Sequence, residues 1–373
     1  MVARHGPGLG KWIRFAIYLL AIWIAFQAIG FFWGRGVFDR AHHGIHDHDA
    51  PIKVTDSFAS SSEVTNLCRA HGWRPFRTPS PERRRKVYDL IMINTELDWL
   101  EIRLNTLYAY VDYFIIVESS KTFTGLDKPL VIKENMSRFS AYHDKIIYHE
   151  LEYPPDFQAA RTWDREDLQR DATYTQVFPR LTGALKPAIG DAMVVADVDE
   201  IPRPETLTIL RHCEFPRRLT LRSRFYYYSF QFLHRGKEWD HPQATFYEGE
   251  RTIKPSNLRI GDGGIQPIIF WDKSDLWNAG WHCSSCFQTM EELLTKMKSF
   301  SHTWMNDEEY RDKARIAKYI RTGKDLWDRE GEIYDRLDNN TDLPSYLLEH
   351  PAQFEYLLDR DGPSAGFTDY KGK

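Results

Sequence analysis

The sequence predicts an α/β protein: a mostly parallel β-sheet with helices on both faces, preceded by one N-terminal transmembrane helix. Three observations carry that reading. Apolar, strand-like runs alternate with helix-period segments between residues 87 and 196, the pattern of βαβ units around a parallel sheet. Two of the runs close on acids, Glu118 and Asp197, and sheets of this kind bind ligands beyond the carboxyl ends of their strands. Residues 15–33 contain no charged side chain.

The uncharged run, FAIYLLAIWIAFQAIGFFW, matches the roughly 20 apolar residues that a bilayer-spanning helix needs. Arg4, Lys11 and Arg14 precede it, whereas only Arg35 follows closely. That bias keeps the short N-terminus cytoplasmic and sends the C-terminal part across the membrane. A cleaved signal peptide would have an apolar region of about 7–15 residues, and this run is longer. The expected organisation is a cytoplasmic tail (1–14), a signal anchor (15–33), a stem (34–85), a luminal domain (86–360) and a flexible tail (361–373). The stem has little apolar periodicity and reads as a tether. Its histidines His42, His43, His46 and His48 fit a solvated linker better than a metal site.

The charge is split. Residues 1–85 carry +6 and the remainder −10, for a net −4 over 373 residues. An acidic main body excludes a nucleic-acid partner, which would call for a basic face. A 42% hydrophobic share with 14% aromatics excludes disorder. Four cysteines are too few for a disulfide-framed miniature scaffold.

Residues 87–94 read as the first buried strand. Leu97, Leu100, Leu104, Leu107 and Val111 then recur at helical spacing. Residues 113–117 form a second strand, 146–151 a third, and 163–181 a polar helix-prone stretch. Residues 192–196 form a short apolar strand that runs into Asp197-Val198-Asp199-Glu200-Ile201-Pro202. Beyond Pro204, residues 219–232 are aromatic and strand-like, and 234–282 suggest an antiparallel add-on with long loops. Residues 288–300 and 306–321 read as helices.

Asp197 and Asp199 are spaced i, i+2. On an extended strand end such side chains point the same way and converge on one hard cation. All-oxygen ligation suits Mg²⁺ or Mn²⁺, which neutralises a diphosphate leaving group. The competing reading is a solvated acidic turn.

D-V-D-E-I-P at 197–202 and Ala279-Gly280-Trp281-His282-Cys283-Ser284-Ser285-Cys286-Phe287 resemble glycosyltransferase family 17. Pro129-Leu130, residues 319–323, 346–348 and 354–358 add to the resemblance, which covers about 86–360; residues 220–278 match less well. The resemblance implies a GT-A-type Rossmann-like fold, UDP-GlcNAc as donor, Mn²⁺ (or Mg²⁺), and inversion at the anomeric carbon. It also implies a mannose-bearing N-glycan or related glycoprotein acceptor, and residence in the Golgi membrane as a single-pass type II protein.

On that reading Asp199 is a metal ligand, and Asp197 contacts the metal or the donor ribose. His282 is either a further metal ligand or a hydrogen-bonded core histidine, with His302 a competitor for the same role. Glu118 either accepts from the nucleotide ribose or is an exposed strand-end acid. Arg170 either binds the diphosphate or Asp199, or pairs with Glu166 at i, i+4. The general base is an Asp or Glu opposite the metal; Asp275 is the candidate, ahead of Asp262 and Asp272. Trp271, Trp277, Trp281 and Tyr226–Tyr228 offer sugar-stacking rings, one or two of them at the acceptor. The cysteines read as structural, with pairing open. Asn135 and Asn339 head N-x-S/T sequons, usable on a luminal body. Two competing functions are a metal-dependent phosphohydrolase with Asp197 as nucleophile and a non-catalytic, membrane-tethered glycan-binding protein.

Overall fold

A computed structural model describes residues 61–78, 83–263, 268–299 and 306–372, together with Tyr18 and Leu20. The expected anchor thus lies outside the described residues apart from Tyr18 and Leu20, and so do His42, His43, His46, His48 and His302. Among the described residues no helix is long and apolar enough to cross a membrane.

A short ribbon pairs β1 (Arg74–Pro75) with the later β7 (Cys213–Glu214). The main sheet has ten strands. Its first half is parallel: β2 (Val87–Met92) lies between β3 (Tyr113–Glu118) and β5 (Ala192–Asp197), and β4 (Ile146–Glu150) pairs with β3 at the edge. Side-chain alternation sorts this half into two cores. Val87, Ile91, Phe114, Ile116, Val194 and Ala196 pack on one face, with the helix Leu97–Leu107. Tyr88, Leu90, Ile115, Val117, Met193 and Val195 pack on the other, with Ala172 of the helix Thr162–Ala172. The expectation of helices on both faces follows from that alternation.

The second half departs from a mostly parallel sheet. β8 (Arg218–Tyr227) and β9 (Ser229–His234) form a hairpin that turns at Tyr228, whose φ is 66°. β10 (Gln243–Phe246) lies antiparallel to both β5 and β8, and β12 (Tyr334–Arg336) antiparallel to β9. The long β11 (Lys273–Ser284) runs parallel to β8 and antiparallel to the short β6 (Glu200–Pro202). The sheet is therefore mixed, because short hairpin connections after residue 213 favour antiparallel neighbours. Gly280 sits at the crowded point of this half. A Cβ there would come within 2.6 Å of the Ile201 carbonyl oxygen and 2.8 Å of the Ser223 hydroxyl, so β11 reaches β6 only with glycine at that position.

Two segment expectations change. Residues 61–70, expected as tether, form a helix whose Cys68 is fully buried and disulfide-bonded to Cys213. Residues 361–372, expected as a flexible tail, are docked: Ala365 and Phe367 are buried in the C-terminal core cluster. Both carboxylate oxygens of Asp369 accept backbone N–H groups, those of Met290 and Glu291, at the start of the helix Met290–Ser299. Burial of apolar side chains and helix capping hold these ends down. The second disulfide closes Cys283–Cys286. All four cysteines are thus structural.

Candidate functional site

β5 ends at Asp197, and Val198 and Asp199 form a turn before β6 begins at Glu200. The strand period of two does not extend through this turn, so the two aspartates part company. Asp197 accepts from Arg259 Nη2 at 2.8 Å through one oxygen, and its other oxygen lies 2.8 Å from Arg170 Nη2. Asp199 takes no direct hydrogen bond on its carboxylate from the described residues. Its nearest charged neighbours stand off, His282 Nδ1 at 3.8 Å and Lys296 Nζ at 3.9 Å. Burial pushes the Asp199 carboxyl above its ordinary range, only partly opposed by His282 and Lys296.

The turn is held from below and from the side. Arg103, on the helix Leu97–Leu107, is fully buried and forms an ion pair with the equally buried Asp89 at 2.6 Å. Its Nη1 donates to the carbonyls of Asp197 at 3.1 Å and Glu200 at 2.6 Å. Glu200, 0% exposed, accepts from both Arg259 terminal nitrogens at 2.7 and 2.6 Å and from Trp239 Nε1 at 2.8 Å. Burial alone would raise the Glu200 carboxyl, but the Arg259 guanidinium holds it well below the usual carboxylate range. Glu200 is thus a structural anchor; it neither faces solvent nor lies open to a ligand.

His282 comes to the turn on β11. Its imidazole packs nearly parallel to Phe225 (centroids 5.3 Å apart, planes at 15°) and to Trp239 (4.8 Å, 21°), in a cluster where those two rings also touch, with centroids 5.3 Å apart. Its Nδ1 lies 3.3 Å from the Asp199 carbonyl oxygen. That bond needs the proton on Nδ1 and leaves the Nε2 lone pair unprotonated in the neutral ring. Asp199 and His282 share a cavity of about 470 Å³ with Asn94 and Phe123 at the parallel-strand side and Glu238 and Trp327 at the antiparallel side.

The structure brings Asp197, Asp199, Arg170 and His282 together, but not in the roles expected for all four. Asp197 is ion-paired to two guanidiniums, those of Arg170 and Arg259, and is not the open carboxylate expected of a metal ligand or a phosphohydrolase nucleophile. Arg170 pairs with Glu166 at 2.9 Å and with Asp197, not with Asp199. Glu118 is 0% exposed and lies outside the cavity walls. Its oxygens accept from the Ile132 and Lys133 N–H groups at 2.9 and 3.2 Å and from the Tyr148 hydroxyl at 2.7 Å. It caps the helix Val131–Glu134, and a ribose has no access to it. Asp275 is ion-paired to Arg222 at 2.7 Å and does not line the cavity. Of the aromatics singled out, only Tyr227 lines the cavity. Tyr226 and Tyr228 are fully buried, Trp281 is core, and Trp271 is 58% exposed. The other rings that line it, Phe123, Phe225, Trp239 and Trp327, stood in stretches without a motif, as did Arg259. Asn135 and Asn339 are both exposed.

A cavity at the carboxyl ends of parallel strands, with an open carboxylate and an imidazole in its wall, defines an α/β ligand-binding protein of the switch-point type. The particular family follows from the sequence comparison: the chain belongs to glycosyltransferase family 17, whose profile matches residues 11–362. Two relatives are similar to it, the β-1,4-mannosyl-glycoprotein 4-β-N-acetylglucosaminyltransferases of Rattus norvegicus and Homo sapiens. Each is 28% identical over 308 residues, covering 74% of this chain and 55% of the relative. The chain thus spans about half the length of the curated relatives it matches. Among solved structures, a mannosyltransferase of Pyrobaculum calidifontis in complex with GDP-Man and Mn²⁺ overlays with a TM-score of 0.31 at 11% identity, over 70% of each chain. That likeness is too distant to carry an argument.

Proposed function

We propose that the protein transfers N-acetylglucosamine from UDP-GlcNAc to a mannose of an N-glycan or related glycan, with inversion, on a GT-A-type fold. The chain is anchored in the Golgi membrane by residues 15–33, with its C-terminal domain luminal. The observation that carries the reading is the open Asp199 carboxylate beside His282 in the wall of a large cavity, in a chain of this family. The two relatives' names supply the sugar and the mannosyl acceptor.

The residues at the turn fit a divalent cation, though with fewer protein ligands than expected. Asp199 is acidic, lines the cavity and has no direct hydrogen-bond donor among the described residues. His282 offers one lone pair. Among the described residues no group of three or more His, Cys, Asp or Glu is arranged to hold a metal, so Asp199 and His282 are the residues that would hold a cation here. A bound Mn²⁺ or Mg²⁺ supplies charge neutralisation of the departing diphosphate. The chain's own part is to fix the turn through Arg103 and Arg259. It also keeps His282 oriented against two rings, and presents a cavity broad enough for a nucleotide and a sugar.

The test is turnover by the purified full chain in detergent, with a panel of nucleotide sugars, a mannose-bearing N-glycan, and Mn²⁺ or chelator. Metal-dependent UDP release and a new N-acetylglucosaminyl linkage support the reading. Phosphate release from a phosphoester without a nucleotide sugar, or glycan binding without turnover, would replace it.

A further inference from the structure

We propose that Glu238 is the general base that takes the proton from the acceptor hydroxyl, a role that rests on the transfer reading above. Among the cavity's other carboxylates, Asp199 is the one proposed to hold the cation, and the rest are partnered or exposed. Asp197 and Glu200 are bound by guanidiniums. Glu332 accepts from the Tyr334 hydroxyl at 3.1 Å and lies 3.3 Å from His234 Nε2. Glu96 folds back onto the N–H groups of Asn94 and Thr95 at the head of its own helix. The Asp240 side chain is 62% exposed.

Glu238, like Glu96 and Glu332, has one oxygen held and the other open, but unlike them it adjoins Trp239, which touches both Glu200 and His282. It is half-buried in the cavity wall, and one oxygen accepts the Asn278 N–H at 2.9 Å. The other oxygen takes no hydrogen bond from the described residues. Its backbone position is fixed by its neighbour. Trp239 exchanges two backbone hydrogen bonds with Ser223, at 2.8 and 3.0 Å, donates its indole N–H to Glu200, and stacks on His282. A chain of direct contacts therefore ties the Glu238 segment to Asp199. Burial raises the proton affinity of the Glu238 carboxyl, while the Asn278 N–H and the guanidiniums of Arg224, Arg203 and Arg222 oppose it. The result is a carboxylate more basic than a surface acid, which is what proton abstraction asks for.

The step balances. The acceptor O–H bond breaks and its proton passes to the free Glu238 oxygen. The acceptor oxygen's electron pair forms the new bond to the anomeric carbon from the face opposite the nucleotide. The anomeric carbon–phosphate oxygen bond breaks, and its electron pair leaves with the nucleoside diphosphate.

The test uses the full chain with UDP-GlcNAc, Mn²⁺ and a β-1,4-mannosyl N-glycan. Glu238→Gln keeps an acceptor for the Asn278 N–H, so the fold is expected to hold in thermal unfolding. Transfer should fall by about 10²–10⁴-fold in kcat, with UDP affinity by calorimetry unchanged. Glu238→Ala should lose as much and regain part of it with added formate, which a structural role would not permit. Glu238→Gln turning over within about threefold of wild type would overturn the proposal. So would loss in Asp275→Asn beside an active Glu238→Gln, or loss of UDP affinity together with turnover. Wild-type chain that releases no UDP with any acceptor would overturn the transfer reading and this one with it, whereas an active wild type with an active Glu238→Gln overturns this one alone.

Discussion

The parallel strands present buried charge at both ends, and the two ends treat it differently. At the amino ends, Arg85 donates to the carbonyls of Gly190, Leu210 and Cys213. Arg211 pairs with Asp112 at 2.7 Å and donates to the Arg85 carbonyl, and Asp112 also accepts the Val87 N–H. The Cys68–Cys213 bridge closes this end over a sequence separation of 145. At the carboxyl ends, Asp197 and Glu200 are paired in the same manner, but Asp199 between them is left with the His282 ring and the Lys296 ammonium near 4 Å and a cavity in front of it. Satisfied charge at one end fixes the fold, and the unsatisfied carboxylate at the other keeps its affinity for something that arrives later.

The largest effect should come from breaking the open end. Asp199→Asn is expected to lower transfer by about 10³-fold or more while leaving the melting temperature unchanged or raised. The sign follows from the elevated carboxyl. Above its folded value the ionised form costs stability, and the amide removes that cost. A matching loss of activity and of folded structure would contradict it. Next comes the closed end. Arg211→Ala leaves the Asp112 carboxylate with only the more exposed Arg84 and the Val87 N–H, and should cost about 3 kcal/mol in denaturant unfolding, with activity per folded molecule retained. Replacing Cys68 and Cys213 together by serine should cost about 2–5 kcal/mol through the freed unfolded chain, again without changing kcat.

How much of this was legible follows from which contacts are local. The strands at 87–92, 113–118 and 192–197 and the helix 97–107 could be read because alternation and helical spacing are properties of adjacent residues. The register of β11 on β8 could not, since it joins segments some 55 residues apart whose composition shows no partner preference. The D-x-D site was located but its division of labour was hidden. Arg259, 62 residues beyond Asp197, claims that carboxylate from a short helix with no motif. Glu118 misled for the opposite reason. An acid at a strand's end looks like a ligand group, yet its donors are the Tyr148 hydroxyl and the N–H groups of Ile132 and Lys133, which turn it inward. His282 was readable by its motif, but the two rings it packs against were not.

The smallest effect is a pH response confined to the closed end. Burial works to raise the Asp112 carboxyl, but the Arg211 guanidinium, the Val87 N–H and Arg84 together draw it below the ordinary aspartate value. A carboxyl depressed in the folded state contributes stability that is complete above its unfolded value, near 4. That contribution disappears as the pH falls through the lower folded value. Melting curves of the wild type between about pH 5 and 3 should therefore lose stability more steeply than those of Asp112→Asn, which carries no proton-linked term at this position. The comparison subtracts every other acid in the chain, since both proteins share them. Parallel slopes for the two would mean that Asp112 is not charged against Arg211 in the folded protein. The amino end would then owe its rigidity to the disulfide and to the Arg85 hydrogen bonds rather than to this ion pair.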